Sequence, residues 1–227
     1  MAERSNSRLG AAHLDELAIV IITTPPGADA ILRPELDEDS RARLRSRLKL
    51  IGRHDWPSNL REDPALRRGY TLRQCFRLMT ALVLLDAHIP PSIAIQITRA
   101  NELQFLRTIT THLTHPPTLS ENDPIAVLLL GQFWEWLDQP AWSNTEPYRV
   151  RILARAALSN LWSNDLGLAI AGQRLTIEIG GVARSMWEWI RARDLLPASA
   201  LNDLVEELLL HGSAPCYQAP KGISKRR

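Results

Sequence analysis

The sequence predicts a mainly α-helical protein, with a basic helical module in its N-terminal half and one small β element near residues 168–179. Three observations predict this. Apolar residues recur at spacings of three and four over most of the chain, the period of an amphipathic helix. Proline and glycine pairs punctuate those stretches at intervals that suit helices rather than long strands. Residues 41–77 carry eleven Lys/Arg against Asp55, Glu62 and Asp63, a local +8 in a chain whose formal total is +2.

The elements follow in order. Residues 1–12 read as a disordered lead. Residues 17–24 are β-branched and end at Pro25-Pro26-Gly27; they read as one strand or as the end of a short helix. The acidic run from Glu35 to Asp39 favours a helix N-terminus, because carboxylates complement the positive end of the helix dipole. That helix runs to about Ile51 and stops at Gly52, with Leu44, Leu48 and Ile51 on one face and Arg41, Arg45 and Lys49 on another. A connector with Pro57, Pro64 and Gly69 follows.

Thr71 reads as the N-cap of a helix over 72–87, whose buried stripe is Cys75, Leu78, Met79, Leu82 and Leu85. Pro90 and Pro91 mark a turn and the start of a helix over 92–113. Ser120, Asp123 and Pro124 resemble another helix start, opening a helix to Leu137. Helical spacing returns over 148–162. Residues 168–179 alternate as a hairpin turning at Gly172-Gln173, with continuous helix as the alternative. Helices over 186–193 and 198–211 complete the set.

The domain organisation read from this pattern has four parts. A flexible or partly ordered lead covers 1–29, and a basic helical module covers 30–115. A tryptophan-rich helical module covers 119–212, and a solvated tail covers 213–227.

Composition narrows the class. At 227 residues with 45% hydrophobic and 23% charged residues, the chain is ordinary globular material, long enough to bury a core without staples. Its two cysteines, Cys75 and Cys216, are too few for a disulfide framework or a cysteine zinc site. No signal-peptide core opens the chain, and no apolar run, 81–85 included, approaches the ~20 residues that span a bilayer. The expectation is a soluble, cytoplasmic protein with no membrane association.

The catalytic expectation is negative. There is no nucleophile elbow, zinc-protease helix, dinucleotide fingerprint or phosphate loop; Gly180-Gly181 lacks the following Lys-Ser/Thr. His112 and His115 have metal-compatible spacing but no sequence-adjacent carboxylate or thiolate to complete a ligand set, so neither metal nor cofactor is expected.

The placed positive charge points to double-stranded DNA, whose phosphates draw most of their affinity from Lys and Arg. Arg41, Arg45 and Lys49 would meet DNA from one helix face. Arg67, Arg68 and Tyr70 would grip it from a loop, flanked by Arg61 and Arg73. Six of seven tryptophans lie between 134 and 189. Trp134 and Trp136, like Trp187 and Trp189, are two apart and cannot share one helix face. At least one of each pair is therefore expected to be exposed, and Trp134, Trp136, Trp187 and Trp189 are the candidate interface with a second subunit or protein partner.

The string Leu66-Arg67-Arg68-Gly69-Tyr70, the helix after Thr71 with Leu78 in its seam, the turn at His88-Ile89-Pro90 and the next helix through Ile93 resemble the wing and following helices of MerR-type regulators. The resemblance covers about 60–97. Thr71 follows the Gly-Tyr pair where the family has arginine, Arg73 comes two later, and His88 stands where the family usually has glycine. The resemblance implies a winged-helix-like N-terminal module and a DNA-binding transcriptional regulator or accessory factor acting as a dimer. Two other readings remain: a non-catalytic module whose basic face docks an acidic protein, and an enzyme whose site is dispersed in the C-terminal half.

Overall fold

A computed structural model describes residues 8–23, 36–57, 69–115, 123–129, 150–158 and 174–210. Within them lie seven α-helices and one three-stranded antiparallel sheet, so the mainly helical class holds.

Helix α1 (Ala11–Thr23) settles the strand-or-helix alternative over 17–23 as helix. Leu17, Ala18, Val20 and Ile21 are buried, and the helix packs on both α3 (Leu72–Asp86) and α6 (Ile179–Ala192). Contact on two sides explains why a β-branched run remains helical: burial outweighs its weak intrinsic preference. Order also extends further back than the expected disordered lead. Leu9 is buried and exchanges two 2.8 Å backbone hydrogen bonds with Tyr70. Gly69 permits this pairing. Its φ is 112°, and a Cβ there would lie 2.5 Å from the Leu9 carbonyl oxygen.

Helix α2 (Glu38–Gly52) begins where the acids lead it. The Asp37 carboxylate accepts from the Ser40 backbone N–H at 2.6 Å, and Glu38 and Asp39 sit in the first turn. That hydrogen bond also holds the exposed Asp37 carboxyl below its usual range. Helix α3 opens on a capping box: Gln74 N–H donates to Thr71 Oγ1 at 3.3 Å, and Thr71 N–H to Gln74 Oε1 at 2.9 Å. It is the central helix, contacting α1, α4 (Pro91–Ala100), α5 (Glu102–Thr114), α6 and α7 (Ala200–Leu210).

The α3–α4 turn is tight. His88 takes φ 64°, and Ile89 N–H donates back to the Leu84 carbonyl at 3.1 Å. The single helix expected over 92–113 is two. Asn101 marks the break: it leaves helical geometry at φ −114° and ψ 14°, and the Ile97 carbonyl accepts both its backbone N–H at 3.1 Å and its Nδ2 at 3.0 Å.

The largest correction lies in the C-terminal half. The helices expected from Pro124 and over 148–162 are, where described, strands β1 (Pro124–Leu129) and β2 (Val150–Ala154), followed by a 3-10 turn over Arg155–Ala157. β1 is the middle strand of the order β2-β1-β3, with β3 at Arg174–Ile177. Pro124 pairs with Ala154 on one side, and Ala126 with Ile177 on the other. Residues 124–128 are buried, so β1 lacks the alternation that marks a half-exposed strand. β3 coincides with the second half of the expected hairpin. Residues 168–172, its first half, lie outside the described residues. Ile179, expected as the strand's end, instead starts α6.

One apolar cluster runs from Leu9 in the N-terminal pairing to Leu208 in α7. The boundary drawn at 115–119 therefore separates elements that share a core: α5 packs against α6 and α7, and α3 and α1 both touch α6.

Candidate nucleic-acid interface

The packing of α2 decides what its charges can do. Only Leu44 and Ile51 are buried, with Leu48 partly so, and the helix rests on α1 and α4 along that narrow stripe. Arg41, Arg43, Arg45, Arg47 and Lys49 are exposed on the rest of its circumference, and Arg53 is exposed in the turn beyond it. Two basic rows result. Arg41, Arg45 and Lys49 follow one another at four-residue spacing, with Arg43 and Arg47 on the opposite flank. Ala42 and Ser46 lie between them.

Parts of these rows contact neighbouring elements. Arg45 Nε lies 3.2 Å from Asp15 of α1, and Arg47 Nη1 lies 3.5 Å from Asp86 at the end of α3. Arg41 Nε donates to the Leu36 carbonyl at 3.0 Å. All four side chains in the two ion pairs are 44–60% exposed. Such pairs contribute about 0–1 kcal/mol each and are readily exchanged for a phosphate oxygen.

The remaining expected contacts divide. Arg61, Arg67 and Arg68 lie outside the described residues. Tyr70 is half-buried in its pairing with Leu9, and burial raises its pKa above the usual phenol value. Arg73 belongs to a different assembly. Its Nη2 lies 2.6 Å from Glu102 Oε1, and its Nη1 lies 2.5 Å from Glu207 of α7. Burial opposes the charge of Arg73, but the Glu102 and Glu207 carboxylates outweigh it, and its pKa is raised. Arg77, one turn on, grips Glu102 with two 2.9 Å hydrogen bonds. The Arg77 and Arg99 guanidiniums each sit 5.2 Å from the ring centroid of buried Trp56, whose Nε1 donates to the Arg77 carbonyl. Arg73 and Arg77 thus tie α3 to α5, α7 and the turn after α2.

Trp187 and Trp189 are both buried, at 8% and 5% exposure, so neither is the exposed member of its pair. Their helix α6 is enclosed by α1, α3, α5 and β1, which leaves little of its circumference to solvent. Trp134 and Trp136 lie outside the described residues.

A second polar constellation escaped the sequence. His112 near the end of α5, Asp123 before β1 and Arg184 of α6 converge although 61 and 72 positions separate Arg184 from the other two. Arg184 Nη2 donates to Asp123 Oδ1 at 2.5 Å and lies 3.2 Å from His112 Nε2. The Asp123 carboxylate is 1% exposed, and its Oδ2 has no hydrogen-bond partner. Burial depresses the pKa of His112, Asp123 opposes that shift, and Arg184 adds to it. The neutral ring accepts from Arg184 at Nε2. Next to this group, Arg155 Nη2 meets Glu178 Oε2 at 2.6 Å. Asp123 had been expected as a helix cap, and His112 as a histidine lacking a carboxylate neighbour. No local sequence signal marks the convergence, since Arg184 lies inside α6 rather than at its end.

Among the described residues, no group of three or more His, Cys, Asp or Glu could hold a metal ion, and no helix is long and apolar enough to cross a membrane. Cys75 is buried and its thiol is pushed up to about 12, which makes it unreactive at neutral pH. Comparison with protein-family models, with curated proteins and with solved structures finds no match for this chain.

Proposed function

We propose that the chain is a DNA-binding protein, a cytoplasmic transcriptional regulator or accessory factor that meets the phosphate backbone through α2. One observation carries the proposal: α2 is anchored by only Leu44, Ile51 and partly Leu48, and turns two rows of basic side chains outward. Lys49 and Arg53 have no ion-pair partner among the described residues, and the surface pairs of Arg45 and Arg47 are weak enough to yield to phosphate. The resemblance of 60–97 to the MerR-type wing and following helices supports the same direction. So does His88, which adopts a left-handed φ of 64° where that family usually has glycine. Arg73 is left out of the interface because Glu102 and Glu207 occupy it. Trp187 and Trp189 are left out of the partner surface because the core contains them.

The test is fluorescence-polarisation titration of labelled duplex DNA at several salt concentrations. The wild type is compared with Arg41→Glu/Lys49→Glu, two exposed positions on one row. The logarithm of affinity should fall linearly with the logarithm of salt, by about 0.9 for each phosphate neutralised. The double variant should lose about two contacts from that slope while its circular dichroism is unchanged. Equal binding by wild type and variant would remove α2 from the interface. No binding at low salt would leave the basic face as a dock for an acidic protein.

A further inference from the structure

We infer that His112, Asp123 and Arg184 form a proton-responsive joint between α5, the start of β1 and α6. A proton on the His112 ring makes it a donor to the Asp123 carboxylate and transfers Arg184 from the ring to the free carboxylate oxygen. The joint stands apart from the DNA-binding reading, since none of the three side chains belongs to α2 or the turn after it.

The backbone around the group is tightly held. Arg155 N–H donates to the Asp123 carbonyl at 3.0 Å, which ties the end of β2 to the start of β1. Pro124 lies so close to Gly180 that a Cβ on that glycine would be 2.5 Å from the proline ring. His112 and Asp123 are both buried. Of the three side chains only that of Arg184, 34% exposed, reaches solvent, so its guanidinium is the part with room to move.

Donors and acceptors in the group are unequal, and a proton corrects the balance. One nitrogen, Arg184 Nη2, serves two acceptors: Asp123 Oδ1 at 2.5 Å and His112 Nε2 at 3.2 Å. Asp123 Oδ2 is buried and accepts from nothing, an arrangement that is costly and uncommon. Once Nε2 takes a proton from solvent, the ring has two donors and no acceptor, so its contact with Arg184 is lost. Nε2–H then faces Asp123 Oδ1 across 3.8 Å. The unfilled Oδ2 gives the carboxylate a place for the displaced guanidinium, so ring and arginine need not compete for one oxygen.

The surrounding charges decide where this happens on the pH scale. Burial opposes the charged ring most and Arg184 opposes it further, while Asp123 and a hydrogen bond with the Gly180 backbone favour it. The exchange therefore falls on the acid side of the ordinary 6.5. The neighbouring Arg155 and Glu178 are paired with each other. On the other helices packed against α5, Arg73, Arg77 and Glu207 gather at Glu102, about 15 Å along the helix from His112. Arg99 of α4 sits over Trp56, and Asp203 and Glu206 of α7 are exposed. His115, on α5's own end, is exposed and pairs with Thr114.

The test is NMR of the full chain from neutral to mildly acid pH, following the histidine rings and the arginine Nε–H signals. His112→Gln and Arg184→Lys assign the two residues. The expected result is a His112 midpoint below 6.5 and an Arg184 Nε–H signal that shifts with the same midpoint, while the core amide signals keep their folded pattern. Arg184→Gln should raise the His112 midpoint, and Asp123→Asn should lower it. An Arg184 signal that ignores the His112 titration would overturn the inference. So would a His112 midpoint at or above 6.5, or unfolding before the ring titrates. Asp123→Asn alters a buried position; where it does not fold, the wild-type Arg184 signal and Arg184→Gln decide the matter.

Discussion

Removing the Glu102 carboxylate should unfold the protein more readily than any single change on the exposed face of α2. Glu102 is 15% exposed and accepts from both Arg73 and Arg77. Breaking a buried ion pair from one side costs about 3–5 kcal/mol, because the partner charge is left uncompensated. Two features reduce that here. Arg73 keeps Glu207 and is 28% exposed, while Arg77 keeps Trp56 and the Pro57 carbonyl. Glu102→Ala should therefore cost about 2–3 kcal/mol. At this chain length each kcal/mol moves the midpoint by about 2–4 °C, so Tm should fall by roughly 5–10 °C. Glu102→Gln keeps the shape and one acceptor pair and should lose about half as much. The assay is urea unfolding followed by tryptophan fluorescence, with the m-value checked for constancy, alongside DNA titration. An unchanged salt slope is expected, because Arg73 contributes to the fold and lies outside the proposed interface. A loss below 1 kcal/mol, or a reduced salt slope, would refute the assignment of Arg73 and Arg77 to internal ties.

Three further outcomes are expected. Gly69→Ala should cost about 2–4 kcal/mol in thermal melts, since it combines a left-handed φ with a Cβ 2.5 Å from the Leu9 carbonyl oxygen and so breaks the Leu9–Tyr70 pairing. His88→Gly should raise stability by about 0.5–1 kcal/mol in urea titration, because φ 64° costs histidine more than the added freedom of unfolded glycine. His112 has a folded pKa below its ordinary 6.5, so the unfolded chain takes up its proton first as pH falls. The stability linked to His112 is then full above about pH 6.5 and declines as pH falls toward the folded value. Urea midpoints at neutral and mildly acid pH should show this decline in the wild type and a smaller one in His112→Gln.

The N-terminal half was legible because its signals are local. The acids before Ser40, the Thr71–Gln74 box, Gly69 and the Pro90-Pro91 pair each act within a few residues, and each marks the boundary it announces. The C-terminal half depends on burial instead. Ile125, Ala126, Val127 and Leu128 alternate between the two faces of β1 and are all buried, so both faces are apolar. A run of that kind has no period from which strand could be told from helix. The tryptophan pair is hidden from sequence in the same way: Trp187 and Trp189, on different sides of α6, are both buried because elements pack on more than one side of that helix. Convergence of His112, Asp123 and Arg184 required knowing that the start of β1 abuts the start of α6. Gly180 makes that approach feasible, since a Cβ there would lie 2.5 Å from the Pro124 ring.

The charge count concealed a division of labour. A local excess of +8 over 41–77 suggested one cationic surface, yet its arginines have two physically different roles. Arg73 and Arg77 lie on the central helix α3, where a guanidinium can remain only if carboxylates meet it. Glu102 and Glu207 come from helices 25 to 134 positions away, and only the fold shows them. Arg41, Arg43, Arg45, Arg47 and Lys49 lie on a helix attached by a narrow apolar stripe, where water solvates the charge and no partner is required. Sequence spacing assigns residues to faces of one helix, but it cannot say which face another element covers. The residues suited to bind a polyanion are those the fold has not already neutralised. That criterion selects α2 and the turn after it, and excludes α3.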